Sequence, residues 1–248
     1  MSSLLPSAVP NNEEVLSLDL EENDFLYRIR RNSRIVYVSL RNIPRWKEDW
    51  KTLTVRKTIQ GIESTPSEFP PHGINLGQIT IPTAIFVNLL DLTTVSRISD
   101  RLSCVRRHGE LCILKVARFR HEIPDLQQEV SVYTTLKLSG FPHAPKFIGF
   151  VYEETKDRIV GFLMESITGE APCIQNLGIC TEIVQLLHKF GVVLEDLNKY
   201  NFLITEQGAK VFDFENSVVQ ENVDTETAGA EIKALAAALE DESGIGRR

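Results

Sequence analysis

The chain has 248 residues, 42% hydrophobic and 25% charged, with a formal net charge of −7. That length allows one large domain or two lobes around an ordinary core, and the balance is that of a globular chain. No apolar run reaches the roughly 18 residues of a membrane-spanning helix, and residues 1–10 lack the basic, then apolar layout of a secretory signal.

Residues 1–24 read as a flexible leader, polar and proline-containing at first and acidic from Glu13 onward. Residues 25–40 alternate on both sides of Arg31-Asn32-Ser33, which predicts a hairpin. Residues 43–57 are ambiguous, with a short helix placed around 46–51. Pro66, Pro70, Pro71, Gly73 and Gly77 make 64–77 a loop or linker, so 25–80 is expected to form an N-terminal extension. Ten Lys or Arg fall within 28–57 against Glu48 and Asp49. Such a block fits a solvated face or an anionic partner. It overlaps alternating strands and has little aromatic interleaving, so nucleic acid is not the expected partner.

Strand signals follow at 93–98, 102–105 and 111–116, with a turn at His108-Gly109. Residues 122–138 carry Leu126, Val130, Tyr133 and Leu136 near helical spacing. Further strands are expected at 147–152 and 159–164. This β-β-β-α-β-β order predicts an α+β fold in which 81–169 holds a five-stranded antiparallel sheet with one helix. Residues 179–190 suit a helix capped by Gly191, and Ala-rich 225–239 a final one. The part from 170 to 248 is therefore expected to be small and mainly helical. Cys104, Cys112, Cys173 and Cys180 show no Cys-x-x-Cys spacing. Reduced thiols in a cytoplasmic or nuclear protein are expected, without zinc.

The chemistry-bearing pattern is Leu194-Glu195-Asp196-Leu197-Asn198-Lys199-Tyr200-Asn201, followed by Asp213-Phe214-Glu215. Asn201 lies five residues after Asp196, and Asp213 twelve after Asn201, with apolar runs at 202–204 and 211–212. These residue types suit phosphoryl transfer. One carboxylate serves the proton of an attacking hydroxyl, while an amide and a second carboxylate hold Mg²⁺ on nucleotide phosphates.

The pattern resembles the protein-kinase-like fold, in the branch that includes aminoglycoside and choline kinases, and is similar to kinase-like proteins of fungi. The resemblance covers roughly residues 90–240 and implies a two-lobe architecture with a truncated C-lobe, an ATP substrate and a Mg²⁺ cofactor. It makes Asp196 catalytic and Asn201 and Asp213 metal ligands. It places Lys115 on the α- and β-phosphates, held by Glu129 fourteen residues later. Residues 161–169 would be the hinge, with Met164 beside the adenine and the Glu165 C=O and Ile167 N–H on the purine edge.

The chain also departs from that family. No glycine lies between Gly77 and Gly109, and Ile98-Ser99-Asp100-Arg101-Leu102 occupies the place of the glycine-rich loop. Backbone amides would still approach phosphates there, with Ser99 or Arg101 adding side-chain contacts, and Asp100 would repel them. Leu194-Glu195 replaces the usual His-Arg. Asn198 stands where protein kinases carry a lysine, with Lys199 a substitute. Glu215 replaces the glycine of Asp-Phe-Gly, as in the choline-kinase pattern, and would add a carboxylate to the metal site. Only 170–193 separate hinge and catalytic loop, too few for a large substrate pocket. Two readings stay open: a phosphotransferase acting on a hydroxyl of a small molecule or protein, and a pseudokinase or nucleotide-sensing scaffold serving a client protein.

Overall fold

The computed structural model describes residues 13–21, 24–41, 53–66, 72–77, 79, 81 and 83–244. The chain divides into two compact units, Met1–Pro71 and His72–Arg248.

The first unit is a sheet of β1 (Glu13–Glu21), β2 (Asp24–Arg31), β3 (Arg34–Arg41), β4 (Leu53–Thr58) and β5 (Gly61–Pro66), adjacent in that order. All pairs are antiparallel except β3–β4. The β2–β3 turn places Asn32 at φ 54, a left-handed conformation that asparagine tolerates and tight hairpins require. Val36, Val38 and Leu40 recur every second residue and pack with Ile29, Phe25 and Tyr27. Residues 13–21, expected within a leader, thus form a strand. The helix expected around 46–51 lies outside the described residues. The acidic and basic segments meet directly: Glu13 and Glu14 lie opposite Arg31 and Arg30, and the Arg31 guanidinium pairs with Glu13.

The second unit runs β6 (Ile85–Asn88), β7 (Thr93–Arg97), β8 (Leu102–Arg107), β9 (Glu110–Val116), α1 (Ile123–Leu138), β10 (Phe147–Tyr152) and β11 (Ile159–Glu165). There follow α2 (Leu177–Lys189), β12 (Val192–Val193), β13 (Phe202–Thr205), β14 (Gly208–Val211), β15 (Val218–Val219) and α3 (Thr225–Glu240). The main sheet has six strands in the order β6-β10-β11-β9-β8-β7.

This overturns the expected fold class. The sheet is six-stranded and mixed, because β6 joins its edge parallel to β10. The remaining pairs are antiparallel. β6 escapes sequence reading because its four residues merge into a longer apolar run, residues 84–92, with no alternation of its own. The part after residue 169 has most of its regular structure in α2 and α3, as expected, and adds two two-stranded ribbons, β12–β15 and β13–β14. One buried cluster runs from Ile74 through Phe162 to Phe214 and Leu239, so residues on both sides of 169 share a core.

Local chemistry fixes the elements that frame the site. Helix α1 begins with proline at its first turn, where no N–H is needed. Glu122, just before it, accepts the N–H groups of Arg118 and Phe119 and pairs with the Arg118 guanidinium at 2.7 Å. Burial alone would raise the Glu122 carboxyl, but these Arg118 contacts outweigh it and hold it below the usual range. Tyr133 of α1 is enclosed by Phe147, Phe162 and Phe214, with centroids 5.3–5.7 Å away. Burial then pushes its phenol well above the usual value. Each such aromatic contributes about 1.5–3 kcal/mol by leaving water. Helix α2 ends at Gly191, φ 74. A Cβ there would stand 2.2 Å from the Gln220 carbonyl oxygen, so only glycine permits this close crossing.

Gly149 has an equally specific role in β10. A Cβ on it would lie 2.3 Å from the Ile85 carbonyl oxygen and 2.5 Å from the Ile85 side chain. Gly149→Ala is expected to displace β6, costing about 1–3 kcal/mol by overpacking. The checks are a lowered urea midpoint and faster amide exchange at residues 85–88. Unchanged exchange there would show that β6 does not depend on this contact.

Candidate functional site

The centre of the site is the Lys115 ammonium. Lys115 sits on β9 and is cross-strand from Leu102 of β8 and Phe162 of β11. Its Nζ lies 2.5 Å from Glu129 Oε2, 2.6 Å from Asp213 Oδ1 and 3.2 Å from Glu215 Oε1. The Lys115 side chain is 4% exposed, Glu129 0%, Asp213 10% and Glu215 18%. Desolvating an ammonium costs several kcal/mol, and only close opposite charges offset that. Glu129 is therefore a wholly buried residue of α1, not a solvent-facing one. Its second oxygen accepts the Phe214 N–H at 3.3 Å, which ties the helix to the Asp213-Phe214-Glu215 segment.

Asp196, Asn201 and Asp213 are drawn together by a chain of contacts. Asn201 is buried, and its Nδ2 donates to the Asp196 carbonyl at 3.2 Å. The Asn201 carbonyl in turn accepts the Phe212 N–H at 3.0 Å, next to Asp213. The Asp196 side chain is exposed, with one oxygen 3.4 Å from Asn216 Nδ2. Two positions here are conformationally unusual: Glu195 at φ 59 and Asp213 at φ 68. Non-glycine residues with positive φ persist only where surrounding structure holds them.

Part of that hold comes from Glu231 on α3. Its Oε1 accepts the N–H groups of Leu194 and Glu195 at 2.9 and 3.0 Å, and its Oε2 lies 2.6 Å from His188 Nε2. The carboxylate thus grips the backbone just before Asp196. Sequence reading missed both Glu231 and His188. The available signal was a lone glutamate within the Ala-rich face of α3.

An apolar cavity of about 260 Å³ adjoins this cluster. Its lining includes Ile98, Leu102, Ile113, Met164, Phe202 and Phe212. Ile113 is two residues before Lys115, hence on the same face of β9. Phe212 is next to Asp213. Glu165 and Ile167 also border the cavity, at the end of β11. Met164 accepts the Tyr133 hydroxyl through Sδ at 3.4 Å, so its side chain is positioned from α1.

The β7–β8 turn is tied down by its own groups. Ser99 N–H donates to the Leu102 carbonyl at 3.0 Å, within the turn. Asp100 pairs with Arg97 at 2.9 Å and with Arg118 at 3.0 Å, so two guanidinium groups balance its charge. Arg101 points inward, with nitrogens 2.7 and 3.2 Å from the two oxygens of Glu215. Glu215 is thus engaged by cations rather than added to a preformed metal site. Lys199 stands over the Tyr200 ring, 5.5 Å from its centroid.

Among the described residues, no group of three or more His, Cys, Asp or Glu is arranged to hold a metal ion. Also among them, no helix is long and apolar enough to cross a membrane. The sequence matches no protein-family model, and no curated protein matches it significantly.

Because buried Lys115 balances buried Glu129 and part-buried Asp213 and Glu215, Lys115→Ala is expected to destabilise the unliganded protein by about 3–5 kcal/mol, the usual cost of breaking a buried pair. Equilibrium urea unfolding measures this. A loss below about 1 kcal/mol would mean the cluster is solvated like a surface pair.

Proposed function

We propose that this chain binds ATP with Mg²⁺ and transfers the terminal phosphoryl group to a hydroxyl acceptor, in the manner of the aminoglycoside and choline kinases. The observation that carries the reading is the Lys115 ammonium, held between Glu129 and Asp213 beside an apolar cavity that ends at Met164, Glu165 and Ile167. An apolar slot at the end of a strand suits a purine, and the adjacent cations suit its phosphates.

The donor set fits the metal. Asn201 and Asp213 offer hard oxygen atoms, and Mg²⁺ is commonly held by one or two carboxylates, with water and substrate phosphate completing its shell. When bound, that ion would neutralise charge on the phosphates. Lys115 would orient the α- and β-phosphates, with Glu129 fixing its position. Asp196 would orient the acceptor hydroxyl and take its proton. Its exposure leaves it open to an acceptor from solvent or on another protein.

A second reading is a nucleotide-sensing scaffold without turnover. It is favoured by the dense pairing of Lys115, Arg101 and Arg118 with five carboxylates, Asp100, Glu122, Glu129, Asp213 and Glu215. Such a network can serve as a structural node alone.

Two substitutions separate these roles. Asp213→Asn removes a hard anionic ligand. Mg²⁺ should then no longer tighten ATP binding in calorimetry, while metal-free binding persists. Retained Mg²⁺ dependence would move the metal elsewhere. Asp196→Asn should abolish transfer to hydroxyl acceptors while leaving Mg-ATP affinity within about threefold, because only a transition-state interaction is lost. Wild-type turnover that survives this change would rule out the assigned base. Absence of turnover in the wild type, with ATP still bound, would select the scaffold.

A further inference from the structure

We propose that Arg101 is the polyphosphate-recognising side chain of this site and that Glu215 holds it when no nucleotide is bound. The inference rests on the nucleotide-binding reading above. It assigns the work of the missing glycine-rich loop to one guanidinium.

Arg101 is placed by its own backbone. Its carbonyl accepts the Val116 N–H at 2.9 Å, pinning the turn to the end of β9, one residue from Lys115. Its Nε donates back to the Val116 carbonyl at 3.2 Å. Its Nη1 then donates to Glu215 Oε2 at 3.2 Å, and Nη2 lies 2.7 Å from Oε1 as a charge contact without hydrogen-bond geometry. The same oxygen, Glu215 Oε1, lies 3.2 Å from Lys115 Nζ. Two cations, one from the β7–β8 turn and one from β9, therefore converge on one anionic oxygen. A phosphate oxygen takes the same arrangement of donors, and a guanidinium fork matches phosphate as well as carboxylate. Glu215 occupies the position of an internal anion.

The surroundings make Arg101, rather than its neighbours, the group available for exchange. Arg118 is satisfied by Asp100 at 3.0 Å and Glu122 at 2.7 Å. Arg97 is paired with Asp100. Glu122, the other carboxylate near Arg101, is 4.0 Å from its Nε and already bonded to Arg118. Ile98 and Leu102, on either side of the turn, line the apolar cavity. The turn that carries Arg101 thus flanks the cavity, and its guanidinium shares Glu215 with Lys115. A polyphosphate, with more charge and more oxygens than a carboxylate, would compete for it, and Glu215 would be released.

Calorimetry of the full chain with ADP and with adenosine, in EDTA to exclude metal ligation by Glu215, tests this. The variants are Arg101→Gln, Arg101→Lys, Glu215→Gln and the Arg101→Gln/Glu215→Gln pair, each checked for folding by circular dichroism. Arg101→Gln should weaken ADP by about tenfold, the scale of a charge-assisted contact, and leave adenosine unchanged. Arg101→Lys should recover part of the loss, since charge returns without the fork. Glu215→Gln should tighten ADP, and that gain should vanish in the Arg101→Gln background. A gain that persists without Arg101 would show that Glu215 merely repels phosphate and would overturn the proposal. So would equal losses for ADP and adenosine, which indicate a structural role. Should Arg101→Gln not fold, the same cycle with Arg101→Lys decides, because the Glu215→Gln gain must shrink there. Failure of the wild type to bind either ligand would sink the nucleotide reading itself, whereas ADP binding indifferent to Arg101 sinks only this assignment.

Discussion

Everything in the second unit is arranged around the burial of one ammonium. Lys115 cannot leave water without close anions, and Glu129, Asp213 and Glu215 come from two distant parts of the chain. Their convergence fixes the distance between β9 and α1, and between β9 and the segment after β14. Small displacements would be costly, because electrostatic energy rises steeply as the surroundings become less polar. The ion cluster therefore acts as a ruler across the molecule. Glu129 extends that ruler by binding the Phe214 N–H, and Phe214 carries it into the aromatic core through Tyr133.

The same device holds the β7–β8 turn, which contains no glycine. A glycine-rich loop brings backbone N–H groups close to an anion because no Cβ intervenes. Here the turn is tied down by charged side chains instead: Asp100 to Arg97 and Arg118, and Arg101 to Glu215. The turn is correspondingly bound to the body of the unit. Glu215 after Phe214 belongs to the same arrangement, since it supplies the carboxylate that Arg101 and Lys115 share.

A second anchor lies on the other side of Asp196. Glu231 and His188 grip the backbone at Leu194 and Glu195 from α3 and α2. Left-handed Glu195 is conformationally costly by itself, and two hydrogen bonds at and before it offset that cost. The residues bearing the motif are thus held by groups that lie outside it. This division is physically reasonable: the Asp196 side chain is exposed, so the rigidity of its loop has to come from the buried side.

The local elements were legible in the sequence because their signals are local. Helical spacing at Leu126, Val130, Tyr133 and Leu136 marks α1, Gly191 marks the end of α2, and alternation marks β2 and β3. The pairing of Lys115 with Glu129 was anticipated only through the resemblance to the kinase pattern, since each residue by itself reads as a solvated one. Tertiary structure alone decided the rest. Strand β6 has no period of its own and exists because β10 offers Gly149, into whose missing side chain the Ile85 backbone fits. The inward turn of Arg101, the double use of Glu215 and the reach of Glu231 depend on residues 36 to 114 positions apart. No sequence spacing encodes such contacts, because a buried charge takes whichever partner the packing brings within 3 Å or so.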